Sequence, residues 1–132
     1  MIVIPVDMKA SAPANVWLLL LCGYCGLIYY LSDQSHVPVP DVFDFQDKLI
    51  HAFAYGVMAF LFWQAWRGRL SLRLLAVLTV VFCSLFGVTD EWHQSFVPGR
   101  DASVFDWLAD TMGAFLLTMA LYKREFVVFQ LK

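Results

Sequence analysis

Apolar residues in this chain neither alternate nor recur on a narrow stripe; they come in four nearly unbroken runs, at residues 16–31, 49–66, 74–89 and 107–122. Runs that are apolar on every side predict helices surrounded by lipid or by one another. Each is 16 to 18 residues long. At about 1.5 Å per residue a helix would cover roughly 24–27 Å, a little short of the ~30 Å hydrocarbon layer, so flanking residues must complete each crossing. The pattern predicts an all-α integral membrane protein, a bundle of four transmembrane helices with short loops, forming a single domain over residues 1–132.

Lys9 ahead of the first run imitates a secretory signal, but LSDQSHVP has no small-x-small cleavage pattern and three further runs follow. That run is read as a retained helix. Composition agrees, at 61% hydrophobic and 15% charged residues with a mean hydropathy of +0.67. Such a chain is outside the soluble globular range. It has no basic patch for nucleic acid, no phosphate-cradling glycine loop and no internal repeat. CGYC, at Cys22 and Cys25, imitates a redox motif, yet it lies inside the first run, where no water supports a thiolate. Cys83 also falls in a run, so no disulfide framework is visible.

Charge sets the expected orientation. Arg67, Arg69 and Arg73 follow the second run without an acid, and Lys123, Arg124 and Lys132 outnumber Glu125 after the fourth. These segments belong in the cytoplasm. Residues 32–48 set Asp33, Asp41, Asp44 and Asp47 against Lys48, and residues 89–106 set Asp90, Glu91, Asp101 and Asp106 against Arg100. Both acidic segments face outward, with both termini inside. Trp17, Trp63, Trp66 and Tyr122 then fall at inner ends, and Tyr29, Tyr30, Trp92 and Trp107 at outer ends, where amphipathic rings settle.

The two outward segments hold most of the candidate chemistry. Asp47, His51 and Tyr55 are spaced i, i+4, i+8 and share one helix stripe, and Asp106, Asp110 and Gly113 share another. Asp110 sits one turn inside an apolar run, a depth at which an ionisable group marks a functional site by default. Asp90, His93 and Gln94 lie within one turn of a helix that ends before Pro98, and VPGR reads as a turn aiming Arg100 back over the helix ends. His36, in the proline-interrupted HVPVPDVF, reads as a solvated loop residue. The tail EFVVFQLK is expected to lie along the inner interface through Phe126 and Phe129.

DKLIHAFAY, with Asp47, Lys48, His51 and Tyr55, and DEWHQSFVPGRDASVFDWLADTMG, with Asp90, Glu91, His93, Gln94, Phe96, Pro98, Gly99, Arg100, Asp106 and Gly113, resemble the motifs of the VanZ-like membrane proteins, named for a teicoplanin resistance protein of bacteria. The resemblance covers nearly the whole chain. Asp110 stands where that family often has asparagine, and Leu117 where a second helix glycine is common. The resemblance implies a small multi-pass protein of the bacterial inner membrane, linked to teicoplanin resistance.

Three readings of the outer cluster follow. As a structural staple, its acids and bases pair across helix ends, with Arg100 suited to bidentate contact. As a catalytic centre, His51, Glu91, His93 and Asp106 act as acids and bases. Lys48, Tyr55, Gln94 and Arg100 then hold an anionic headgroup, and Asp47, Asp90 and Asp110 form a supporting network. As a binding module, the same groups hold a membrane lipid or lipid-linked wall intermediate unchanged. A metal on Asp90, His93 and His51 with Glu91 as base has weak support, because DExH lacks the HExxH spacing. The reading adopted has no metal and no cofactor, and membrane lipids or lipid-linked cell-wall intermediates as partners.

Overall fold

The computed structural model describes residues 13–35, 40 and 42–131; His36 falls outside them. It consists of α1 (Ala14–Ser32), α2 (Gln46–Trp66), α3 (Leu72–Gln94) and α4 (Val104–Gln130), with no strand among the described residues. At 19, 21, 23 and 27 residues, all four are long and apolar enough to cross a membrane. The helices outrun the apolar runs that announce them. α3 carries Asp90 to Gln94 as its last turn, and α4 continues through Phe126 and Phe129 instead of releasing the tail as a separate interfacial segment.

Local chemistry starts each helix. Pro13 precedes α1, its missing N–H costing nothing there. Ser71 caps α3 by accepting from Leu74 N, and Ser103 caps α4 by accepting from Phe105 N. Phe45 enters α2 in the left-handed conformation (φ 63°), and the Gln46 side chain, accepting from Val42 N and donating to Pro40 O, ties down the incoming loop.

α2 and α4 form the closest pair, α3 packs against both, and α1 lies on α2 with a smaller contact to α3. Among the described residues α1 makes no contact with α4. One apolar core gathers Leu21, Tyr55, Met58, Ala59, Cys83 and Ala114; a second, toward the other end, gathers Trp63, Leu75, Ala76 and Leu121. Leu19, Phe53, Leu85 and Leu116 are exposed, as lipid-facing side chains must be. Polar contacts fix the pairs: Tyr24 donates to Ala54 O across α1 and α2 (2.9 Å), and Trp107 and Thr111 both reach Ser84 across α3 and α4. Glu125 accepts from Arg67 (2.8 Å) and from Trp63 Nε1 (3.1 Å), closing α2 onto α4 at the basic end.

Glycine makes the α2–α4 approach possible. A Cβ on Gly113 would lie 1.9 Å from Ala52 O, a clash with backbone that no rotamer relieves. Close backbone approach through a small residue is a common basis of helix association in lipid. Gly113→Ala should therefore cost at least about 3 kcal/mol, beyond ordinary overpacking, and lower the thermal midpoint of the detergent-solubilised protein. Gly23→Ala, where a Cβ meets nothing within 4 Å, should leave it unchanged or raise stability by up to about 1 kcal/mol.

Candidate functional site

The C-terminal ends of α1 and α3 and the N-terminal ends of α2 and α4 meet at one end of the bundle. There α2 supplies Asp47, Lys48, His51 and Tyr55; α3 supplies Asp90, Glu91, His93 and Gln94; α4 supplies Asp106 and Asp110. Asp90, Glu91, Gln94, Asp106 and Asp110 are all buried. A chain this apolar gathers its acids where they can answer one another.

At the centre, His51 Nδ1 lies 2.9 Å from Asp110 Oδ1, and Asp110 is fully buried. Gly87 on α3 leaves room for that carboxylate, since a Cβ there would stand 3.1 Å from Asp110 Oδ2. Glu91 Oε2 accepts from Ser103 N at 2.7 Å, fastening the end of α3 to the start of α4. Each of His51, Glu91 and Asp110 offers one ligand atom, and these three atoms lie within 4.8 Å of one another. Beside them Lys48 donates to both Asp47 and Asp106, clamping α2 to α4.

A second polar chain starts at Tyr55, one turn along α2 from His51. Asp90 Oδ2 accepts from Gln94 Nε2 (3.3 Å) and makes a long contact with Tyr55 OH (3.5 Å). Gln94 Oε1 accepts from Arg100 (2.8 Å). The turn that returns Arg100 is closed by Arg100 N donating to Val97 O and carries Gly99 at φ 83°, a left-handed conformation suited to glycine.

His93 is turned elsewhere. Its Nε2 lies 3.2 Å from Asp33 Oδ1 and its ring stacks on Tyr29 at 4.3 Å, so both its partners are at the end of α1. The three groups able to hold a metal that converge are thus His51, Glu91 and Asp110, not Asp90, His93 and His51. Spacing in DEWHQ places Asp90 and Gln94 on one helix face with Glu91 beside them, but it does not say which face meets α4 and which meets α1. Ser103 and Asp33 are partners that the sequence reading missed. Ser103 carried a signal, as a hydroxyl residue opening an apolar helical run; Asp33 carried none.

A cavity of about 450 Å³ opens beside this centre. Ile28, Leu31 and Ile50 form its apolar side, and His51, Tyr55 and Arg100 are among its polar lining. Asp47 and Asp90 also line it, whereas Glu91, Asp106 and Asp110 do not, and His51 links the cavity to the buried Asp110. An imidazole so placed, held by a carboxylate behind it, is oriented to exchange a proton with whatever occupies the cavity.

Comparison with known proteins adds a family. A family model described as VanZ/LLP1 matches residues 16–128. An uncharacterized protein of the yeast Schizosaccharomyces pombe is 33% identical over 100 residues, covering 73% of this chain and 58% of the relative. The chain therefore spans a little over half the length of that relative. No solved structure matches it. The family match runs from the first turns of α1 to the last turn of α4 and takes in every residue of the polar centre, and the chain belongs to the VanZ/LLP1 family.

Proposed function

We propose that the chain is a membrane-embedded enzyme that hydrolyses or transfers the headgroup of an envelope lipid or lipid-linked precursor. The observation that carries this reading is the two-sided cavity, with Ile28, Leu31 and Ile50 suited to an acyl or prenyl stem, and His51, Tyr55 and Arg100, beside Asp47 and Asp90, suited to a polar head. Arg100 shares one nitrogen with Gln94 and keeps further donors for a phosphate. His51, oriented by Asp110, takes the proton of an attacking water or hydroxyl, and Glu91 next to it stabilises the imidazolium that forms. Lys48, Asp47 and Asp106 serve as a clamp, because Lys48 is already engaged by both acids.

The matching yeast protein favours a lipid found broadly in membranes over a precursor confined to bacterial walls. The teicoplanin link implied by the resemblance fits the same chemistry, since teicoplanin carries an acyl chain and an altered outer-leaflet headgroup would change how it seats. Orientation follows from charge. The arginines of the α2–α3 connection face the cytoplasm, and the polar centre faces the periplasm or exterior of a bacterial inner membrane.

A reading of the whole cluster as a staple without chemistry is favoured by one observation, the Lys48 bridge between α2 and α4. Lipid profiles separate the two. Mass spectrometry of cells making the wild type or Glu91→Gln at matched membrane levels should show a headgroup species that depends on the wild type. Turnover should fall roughly 100-fold or more in the variant, whereas identical profiles with a lowered thermal midpoint would select the staple. Arg100→Lys, which loses the planar fork, should reduce turnover by at least about tenfold, with normal turnover removing the anion role. A reporter fused after Arg67 should remain cytoplasmic, and activity outside the cell would reverse the topology.

A further inference from the structure

Two buried carboxylates near His51 have more acceptor capacity than the protein around them fills. Asp110 is fully buried, with Oδ1 at His51 and Oδ2 accepting no hydrogen bond from the described residues. Glu91, also buried, gives Oε2 to Ser103 N and leaves Oε1 in the same condition. Of the nearby cations, Lys48 is engaged by Asp47 and Asp106, and Arg100 reaches Gln94 and neither of these two carboxylates. Unpaired carboxylate oxygens at membrane depth are costly, and buried charges are found paired or on metals.

We infer that His51, Glu91 and Asp110 bind a divalent transition-metal cation of the Mn²⁺ or Zn²⁺ class. Two atoms held at ~2.0–2.2 Å from one ion are at most about 4.4 Å apart, and about 3.0 Å apart when they subtend a right angle. His51 Nδ1 and Asp110 Oδ1 share a hydrogen bond at 2.9 Å, and an ion that displaced its proton would find them already at the right-angle spacing. The full set lies within 4.8 Å, so the widest pair closes with a shift of about 0.4 Å if its two atoms take opposite sides of an octahedral ion, and with a larger one at a narrower angle. One imidazole with two carboxylates suits this class of ion better than an all-oxygen Ca²⁺ cage. Three protein ligands also leave coordination positions for water, as a catalytic centre requires.

The ion rests on the proposed enzyme reading and revises it at one point, since the metal in place of His51 would activate the attacking water. It also changes the part played by His51. With Nδ1 a ligand, the ring carries its proton on Nε2, and His51 becomes a donor. Binding does not depend on any lipid, so the inference and the enzyme reading can fail separately.

The test uses the full chain in detergent, stripped with a chelator and titrated with Mn²⁺ under electron paramagnetic resonance, with Zn²⁺ as competitor. The wild type should take one Mn²⁺, displaced by Zn²⁺. Glu91→Gln and Asp110→Asn should each weaken binding roughly 100-fold, and Asp101→Asn, at an exposed acid, should leave it unchanged. A folded wild type that binds neither ion, or binds as tightly after Glu91→Gln, overturns the inference. Should the variants fail to fold, nitrogen hyperfine coupling to bound Mn²⁺ decides in a chain carrying His36→Gln and His93→Gln. Coupling is then expected from His51, and its absence in a folded, Mn²⁺-loaded protein overturns the assignment.

Discussion

The backbone contact between Gly113 and Ala52 governs the polar end of the molecule. Gly113 lies one turn from Asp110 on α4, and Ala52 is the neighbour of His51 on α2. Only helices this close let a short aspartate side chain on one reach an imidazole on the other at 2.9 Å. Extra bulk at the contact would separate these two groups before disturbing the apolar core below. Gly87 does the same on the third side, admitting the Asp110 carboxylate against α3. Small residues here set side-chain chemistry as much as helix packing.

Two ionic clamps frame that contact. Lys48 with Asp106 joins α2 to α4 at one end, and Arg67 with Glu125 joins the same helices at the other. An isolated ion pair at a water-exposed surface contributes little. These pairs are partly buried near helix ends, where each charge left without its partner would be costly. α1 has no such tie to α4, and its described side-chain bonds, Tyr24 to Ala54 O and Asp33 to His93, go to α2 and α3. The cavity borders this less tightly held helix, as Ile28, Leu31 and Ser32 line it.

Much of this was legible in the sequence because lipid imposes simple rules. Four runs without a polar face have few alternatives to four helices, and the i, i+4 stripes of Asp47, His51 and Tyr55 and of Asp106 and Asp110 follow from helical periodicity alone. The bounds were less legible. Hydropathy alone stops the third run at residue 89, but the spacing of Asp90, His93 and Gln94 ahead of Pro98 already places them on the helix. In the structure the Glu91 and Asp90 side chains find donors in Ser103, Gln94 and Tyr55. The direction of His93 was not legible either, because it depends on which side of α3 receives α1. Its stacking on Tyr29 decides that, through a contact between residues far apart in sequence.

Glu91 is the residue whose position reaches furthest. One of its oxygens holds Ser103 N, the entry to α4, while the residue also belongs to the cluster with His51 and Asp110. The same side chain is thus both a hinge pin for the loop between α3 and α4 and a member of the buried polar cluster. Substitutions at this position are pleiotropic: a change that removes the side chain's oxygens alters both the charge at the centre and the anchoring of the loop that carries Arg100. Glutamine keeps an acceptor for Ser103 and alanine does not, so the two replacements separate the mechanical duty from the electrostatic one. Sequence drift faces the same restriction, with few neutral routes away from a glutamate that does two jobs through two different atoms.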